Sequence, residues 1–275
     1  MAGTLYVVAT PLGNLGDLSP RAADTLKNVA AVAAEDTRHS KTLITHVGSH
    51  AELISFHAHS SERALERILD LLGTGKDVAL VTDAGTPTVS DPGAALVAAA
   101  RARDIPIATI PGPTAVAAAL AVSGLGADRY VFLGFLPRKG GDRRRLLEIV
   151  AESEWTVVLF EAPNRVADLL RDLAELCGDD REVAVSRELT KVFEETRAGT
   201  LTDLAGYYAE APPRGEVTVV VSGTGKAPPE DVPIDPAERA RTLLAQGMTR
   251  KDVAEQLAEE TGISRNTAYR LVNDL

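Results

Sequence analysis

Val78-Ala-Leu-Val-Thr-Asp-Ala-Gly-Thr-Pro-Thr-Val-Ser-Asp-Pro-Gly93 decides how the chain is read. An apolar run over Val78 to Thr82 has the length and β-branched content of a buried strand. It breaks into glycine, proline and hydroxyl residues, and Asp91-Pro92 reads as the cap and first-turn pair of a helix over Pro92 to Arg103. The same strand, loop and helix succession opens the chain. Leu5 to Ala9 feeds Thr10-Pro-Leu-Gly-Asn-Leu-Gly-Asp17, and Ser19-Pro20 starts the next helix. Further strand-like runs at Val29 to Ala34, Leu53 to Phe56 and Ile107 to Ile110 alternate with helical stretches such as Glu62 to Leu72. Strands apolar on both faces, joined by segments long enough for crossovers, predict a mostly parallel sheet covered by helices on both sides.

A second set of strands follows a helix over Thr114 to Val122: Tyr130 to Phe135, Trp155 to Phe160, Val183 to Arg187, Glu195 to Leu201 and Val217 to Val221. Little separates the runs around Arg187 to Leu201, which predicts a hairpin and a mixed sheet. Two α/β domains are therefore expected, over 1–112 and 113–224. The proline-rich stretch 225–235 reads as a linker and 236–275 as a small helical module. In that module Thr249 caps a helix, with Asp252 three residues on, and Val253, Ala254, Leu257 and Ala258 form an apolar stripe. Thr261-Gly-Ile-Ser264 turns into a second helix over Arg265 to Asn273, a helix-turn-helix pattern with Arg265 and Arg270 exposed.

Composition narrows the function. The 275 residues are 45% hydrophobic, 25% charged and 4% aromatic, an ordinary globular balance that excludes disorder and collagen-like repeats. Cys177 is the single cysteine, so no intrachain disulfide forms, and the start of the chain lacks the apolar core of a secretory signal. No run has the roughly 18 apolar residues of a membrane span. A cytoplasmic location is expected. With 29 basic against 39 acidic residues the net charge is -10, which argues against non-specific coating of nucleic acid and leaves room for a local basic patch. Pro137-Arg-Lys-Gly-Gly-Asp-Arg-Arg-Arg145 is that patch. It reads as a glycine-loosened loop in which Arg138, Lys139, Arg143, Arg144 and Arg145 meet phosphate, or as a solvated helix start.

Three glycine-bearing loops end strands where open α/β sheets bind ligands: Thr10 to Asp17, Val81 to Gly93, and Ile110-Pro-Gly-Pro-Thr-Ala115 at the domain junction. The first lacks the G-x-G-x-x-G spacing, and neither Gly75-Lys76 nor Gly225-Lys226 completes a phosphate-binding G-x-x-x-x-G-K-[ST]. Nicotinamide and kinase readings fall. The histidines cluster between His39 and His59, but without the cysteine or paired-carboxylate spacing of a metal site, and no metal is expected.

The ordered set Val8 to Asp17, Ala34-Glu-Asp-Thr-Arg38, Asp83 to Pro87 with Ser90 to Gly93, Pro111 to Ala115, Phe132 to Lys139, Phe160-Glu-Ala-Pro-Asn-Arg165 and Arg187-Glu-Leu-Thr-Lys191 resembles the ribosomal RNA small subunit methyltransferase I family, within the tetrapyrrole methylase superfamily. The resemblance implies a homodimer of two α/β domains with a cofactor cleft between them. It also implies S-adenosylmethionine as cofactor and a cytidine ribose 2′-hydroxyl in the decoding centre of small-subunit (16S) rRNA as substrate. It places the cofactor against Pro11, Ala84, Gly85, Thr86, Val89, Thr114, Ala115, Glu161, Ala162 and Leu189. Asn164 stands where many relatives are expected to carry His.

A ribose hydroxyl is weakly acidic, so a group that takes its proton is required. Asp83 and Glu161, each at a strand end, are the candidates, with Lys191 as an electrostatic partner. The bland alternatives are a turn carboxylate at Asp83 and an ion pair to Arg165 at Glu161. Arg38 either clamps an RNA phosphate or pairs with Asp36. Two competing functions share these features: a methylase of tetrapyrrole precursors, and a ligand-sensing regulator that reads DNA through its C-terminal module.

Overall fold

The computed structural model describes residues 2–57, 60–225, 236–246, 248–261 and 263–274. It forms two compact units, Met1–Gly225 and Lys226–Leu275. The expected linker lies outside the described residues from position 226 on, as does His59.

The first sheet contains β1 (Leu5–Val8), β2 (Ala31–Ala34), β3 (Glu52–Ser55), β4 (Val78–Val81) and β5 (Ile107–Ile110), in the order β3-β2-β4-β1-β5 with every pairing parallel. Parallel neighbours need crossovers, supplied by α1 (Pro20–Asn28), α2 (Thr37–His46), α3 (Glu62–Gly73) and α4 (Ala94–Ala102). Alternation along the strands divides the core. Leu5, Val78 and Leu80 pack on one face with Ile68, Leu72 and Leu96, whereas Val8, Ala79 and Val81 pack on the other with Leu26 and Ile44. Ser19 accepts the Ala22 N–H at 3.1 Å and Pro20 takes the first position of α1, as the sequence predicts.

After α5 (Ala115–Ser123) come β6 (Tyr130–Phe135), α6 (Gly141–Glu152), β7 (Thr156–Glu161), α7 (Val166–Cys177), β8 (Glu182–Arg187), β9 (Glu195–Thr200), α8 (Leu201–Glu210) and β10 (Val217–Val221). Their sheet runs β6-β7-β10-β8-β9, with β6 and β7 parallel and the other pairings antiparallel. The β8 and β9 pair is the expected hairpin. One face of the sheet packs on α6, α7 and α8 through Leu147, Leu169, Leu173 and Leu204. The other packs on α5, where Val116, Ala119 and Leu120 join Val158, Ala184 and Val220. Leu12 and Ala84, from loops of the first sheet, enter this second cluster and fix the two sheets against each other.

Two expectations are corrected. Helix α4 begins at Ala94 behind Gly93, not at Pro92, and Asp91 makes no cap. Gly93 has φ +127°, and a Cβ there would sit 2.7 Å from Leu80 Cδ2, so the chain must complete this turn before the helix can begin. Of the two readings of the basic stretch, the loop is corrected and the helix start stands, because α6 starts at Gly141 and places Arg143, Arg144 and Arg145 in its first turns.

The unit Lys226–Leu275 contains α9 (Pro236–Ala245), α10 (Arg250–Thr261) and α11 (Arg265–Asn273) around Ala240, Leu243, Val253, Leu257, Ala268 and Val272. The Thr249 hydroxyl donates to Asp252 at 2.7 Å and accepts its N–H at 3.3 Å, which caps α10 as expected. Gly262, in the predicted turn, lies outside the described residues. No described helix is long and apolar enough to cross a membrane.

Candidate active site

A cavity of about 430 Å³ opens between the carboxyl ends of β4 and β7, within the size range of small-molecule sites. Its first wall is the loop after β4. Thr10 and Gly85 exchange backbone hydrogen bonds of 2.8 and 3.1 Å, and the Thr86 hydroxyl donates to the Pro113 carbonyl at 3.1 Å, so all three glycine-bearing loops are tied together. Gly85 has φ +85°, and a Cβ would stand 3.2 Å from Leu12. Thr88 and Ser90 take left-handed φ of +73° and +63° in the same loop, a strain that surrounding contacts must hold. Across the cleft, Gly134 makes room for Ser90, since a Cβ there would lie 2.6 Å from its hydroxyl.

The lining is acidic: Glu35, Asp83, Asp91, Glu161 and Glu216 all face the cavity. Glu161 is 2% exposed. Its Oε1 accepts the Ala162 N–H at 2.8 Å, while Oε2 lies 3.3 Å from the Arg165 guanidinium without an aligned hydrogen bond. Asp83 Oδ1 accepts the Asp36 N–H at 3.2 Å. The Thr82 hydroxyl donates to Glu35 at 3.1 Å. Asp91 is pushed up to about 6, by burial first and then by the charges of Glu35, Asp83 and Glu216. Phe135 and Phe160, 5.5 Å apart, add an aromatic wall. Such a wall, apolar with a ring of carboxylates, suits an organic cation.

The sequence profile of the Tetrapyrrole (Corrin/Porphyrin) Methylases matches residues 4–205, and that of the Helix-turn-helix domain of resolvase matches 233–275. The ribosomal RNA small subunit methyltransferase I of Synechocystis sp. is 45% identical over 277 residues, which is 99% of this chain and 98% of its own. The chain belongs to the ribosomal RNA small subunit methyltransferase I family. Its counterpart in Xylella fastidiosa is 44% identical over 97% of this chain and 98% of its own. Among solved structures, the uroporphyrin-III C-methyltransferase of Thermus thermophilus complexed with S-adenosyl homocysteine superposes with a TM-score of 0.57 at 18% identity. It covers 80% of this chain and 97% of its own.

In this member of the methyltransferase I family the residues singled out from sequence separate into groups. Ala84, Gly85, Thr86, Val89, Thr114, Ala115, Glu161 and Ala162 line the main cavity together with Asp83. Pro11 lines an adjoining cavity of about 260 Å³, which shares Thr82 and Asp83 with the first and contains the unpartnered, buried Ser40 hydroxyl. Leu189 lies in neither lining and packs with Leu12 in the core between the sheets. Lys191 is held by Glu188 at 3.0 Å and Glu216 at 3.1 Å, with its methylenes over Gly13, where a Cβ would lie 2.4 Å from Lys191 Cγ. Burial lowers the Lys191 ammonium, but the two carboxylates outweigh it and raise its pKa. Lys191 therefore stays charged and already paired.

The basic candidates divide as well. Arg143 is turned inward, 12% exposed, bonded to Asp172 at 2.6 Å and to the Pro137 carbonyl at 3.2 Å, so it holds β6, α6 and α7 together. Arg144 pairs with Glu148 on its own helix at 3.0 Å. Arg38 pairs with Asp36 at 2.7 Å, and those bonds hold the Asp36 carboxyl well below the usual range. Arg138, Lys139 and Arg145 are exposed and make no ion pair among the described residues. Arg265 and Arg270 are exposed on α11, Arg265 at 3.8 Å from Glu255. No group of three or more potential ligands that could hold a metal occurs among the described residues. Sequence reasoning missed Glu35, Asp91 and Glu216 as cavity walls. Glu35 and Glu216 carry one signal, a position next to a strand end, whereas Asp91 lies ten residues beyond β4 in the loop before α4.

Proposed function

We propose that the chain uses S-adenosylmethionine to methylate the ribose 2′-hydroxyl of a cytidine in the decoding centre of small-subunit rRNA. The carrying observation is a cavity ringed by carboxylates at the carboxyl ends of two sheets, in a chain similar over nearly its whole length to methyltransferases named for small-subunit rRNA. The residues fit the cofactor. The acidic wall and the strained loop around Gly85 offer a cation both charge complementarity and exposed backbone groups. When bound, S-adenosylmethionine supplies a methyl group on a positively charged sulfonium, so the electrophile needs no acid.

The chain's own task is alignment and proton removal. Ala84, Gly85, Thr86, Thr114 and Ala162 hold the cofactor, and Val89 and Phe135 exclude water beside it. Asp83 accepts the ribose proton: it faces the cavity, and only its Oδ1 is engaged by the Asp36 amide. Glu161 is committed to the Ala162 amide and to Arg165, and it positions the second wall rather than taking the proton. Lys191, locked between Glu188 and Glu216, positions the hairpin against the first loop. Alignment of this kind supplies up to about 7–11 kcal/mol of a barrier, and a general base about 100-fold to 10,000-fold in rate. A tetrapyrrole precursor rich in carboxylates meets like charge at Glu35, Asp83, Asp91 and Glu216, which disfavours that alternative.

Arg138, Lys139 and Arg145 on the second domain, with Arg265 and Arg270 in the C-terminal unit, meet RNA phosphates. A ribosomal substrate places the reaction in the cytoplasm. The family resemblance implies a homodimer, which sedimentation checks. Transfer of labelled methyl from S-adenosylmethionine to small ribosomal subunits lacking the modification tests the proposal. Label in the rRNA is expected, and cofactor binding without transfer to subunits or to free rRNA contradicts it.

A further inference from the structure

A separate cavity of about 460 Å³ lies at the second sheet, beneath the β8 and β9 hairpin and the carboxyl end of α8. Its wall is aromatic and carries two arginines, Arg187 and Arg214, beside two carboxylates, Glu188 and Glu195. Phe193 projects from the hairpin at 71% exposure. Tyr207 lies under the Arg197 guanidinium, 4.0 Å from its ring centre, and meets Tyr208 edge to face at 5.1 Å. Tyr208 is 3% exposed, yet it lines the cavity and its hydroxyl has no hydrogen-bond partner among the described residues. Burial pushes that phenol up to about 12, so it stays a neutral donor. Of the two carboxylates in the lining, Glu195 is shared by Arg187 at 2.8 Å and Arg197 at 3.0 Å, and Glu188 is taken by Lys191 at 3.0 Å. Arg214 completes the rim without an ion pair among the described residues. Arg187 and Arg214 balance Glu188 and Glu195 in the lining, and the pairing of both carboxylates with Arg187, Arg197 and Lys191 leaves Arg214 available to an anion.

This cavity adjoins the active site through one short segment. Arg214 faces it, and the next residues, Gly215 and Glu216, line the main cleft. Gly215 permits that closeness, because its φ is +82° and a Cβ would collide with the Glu188 carboxylate. Glu188 and Thr190, in the turn above, hold left-handed φ of +51° and +67°, strain of the kind that marks a ligand clamp.

We infer that this cavity is a nucleotide subsite for the RNA substrate: a base flanking the methylated residue stacks on Phe193 and Tyr207 and bonds the Tyr208 hydroxyl, with its phosphate on Arg214 and Arg187. The inference rests on the rRNA reading above. Single-stranded RNA is held by such pairing of aromatic faces with guanidinium groups. Enzymes that act on a nucleotide take it out of its stack, which leaves the neighbouring base unstacked, and this surface would replace the lost stacking partner.

The probe is a fluorescent, 5′-phosphorylated, mixed-sequence RNA hexamer titrated against the full-length protein. Phe193→Ala and Arg214→Ala change exposed side chains, and Tyr208→Phe removes only a hydroxyl, so all three are expected to fold. Phe193→Ala and Arg214→Ala weaken the hexamer roughly ten-fold, as expected for loss of a stacked base or a phosphate contact. Tyr208→Phe weakens it several-fold, and S-adenosylmethionine affinity is unchanged in all three. With unmodified small subunits, KM rises while kcat is preserved. Equal hexamer affinity in wild type and variants overturns the inference, as does no hexamer binding by the wild type. So does a shift in sedimentation in place of lost RNA affinity, since the face then belongs between copies of the chain. Loss of hexamer binding in the variants with no methyl transfer to rRNA by the wild type sinks the rRNA reading and keeps the subsite. Methyl transfer with unchanged KM in the variants does the reverse.

Discussion

At the scale of single residues, Asp83 and Asp91 share a cavity and differ in what surrounds each carboxylate. Asp83 is the proton acceptor in this account, so Asp83→Asn lowers kcat for methyl transfer by about 100-fold or more while S-adenosylmethionine affinity stays within a few-fold, read by single-turnover kinetics beside calorimetric titration. An equal loss in both would make Asp83 a cofactor ligand. Asp91 has a raised pKa, so its contribution to stability is complete below about pH 3.8 and is lost as pH rises through about 6. A cationic cofactor reverses that preference because it favours the ionised form. Cofactor affinity therefore rises between pH 5 and 7 with a midpoint near 6, and Asp91→Asn flattens this profile. Asp83 lines the cavity two residues beyond β4, where the sequence led one to look for it. The sequence misplaced Asp91, since Pro92 resembles a first helical residue and only packing against Leu80 reveals that Gly93 is needed before the helix.

At the scale of elements, the parallel sheet was legible because β1, β2 and β4 are apolar on both faces, and the β8 and β9 hairpin because no crossover fits between its strands. Helix α2 was not, since its sequence from Thr37 to His46 is largely polar and buries only Ser40, Leu43 and Ile44. The start of helix α6 was one of two readings of its stretch, because Gly140-Gly141 and the run of arginines fit a loop as well as a solvated helix start. That helix separates structure from binding. Arg143→Ala removes a nearly buried guanidinium from Asp172 and Pro137, and it destabilises the protein by about 1–3 kcal/mol in denaturant titrations. The triple change of Arg138, Lys139 and Arg145 to Ala leaves stability unaltered. It weakens RNA binding and lowers the slope of log affinity against log salt by about 2, for three single-strand phosphates. Should the triple variant keep the wild-type salt slope, these residues do not meet RNA.

At the scale of the whole molecule, the cleft belongs entirely to the unit Met1–Gly225, and the helix-turn-helix has its own core. A chain ending at Gly225 therefore keeps its S-adenosylmethionine affinity within about two-fold and loses transfer to subunits, with affinity read by titration and transfer by label. Complete loss of cofactor binding would instead indicate the ligand-sensing regulator, whose parts work only together. The division into strands, cleft and terminal module could be read from the chain. The full acidic lining could not, because Glu35, Glu161 and Glu216 come from separate stretches and meet the Asp83 and Asp91 loop only across the fold. The central claim concerns the atom that receives the methyl group. The most direct test digests small-subunit rRNA after incubation with the protein and labelled S-adenosylmethionine, and maps the product by nuclease protection and mass analysis. One 2′-O-methylcytidine in the decoding region is the predicted result. A methyl group on a base, on a ribose elsewhere, or on no nucleotide would contradict the account.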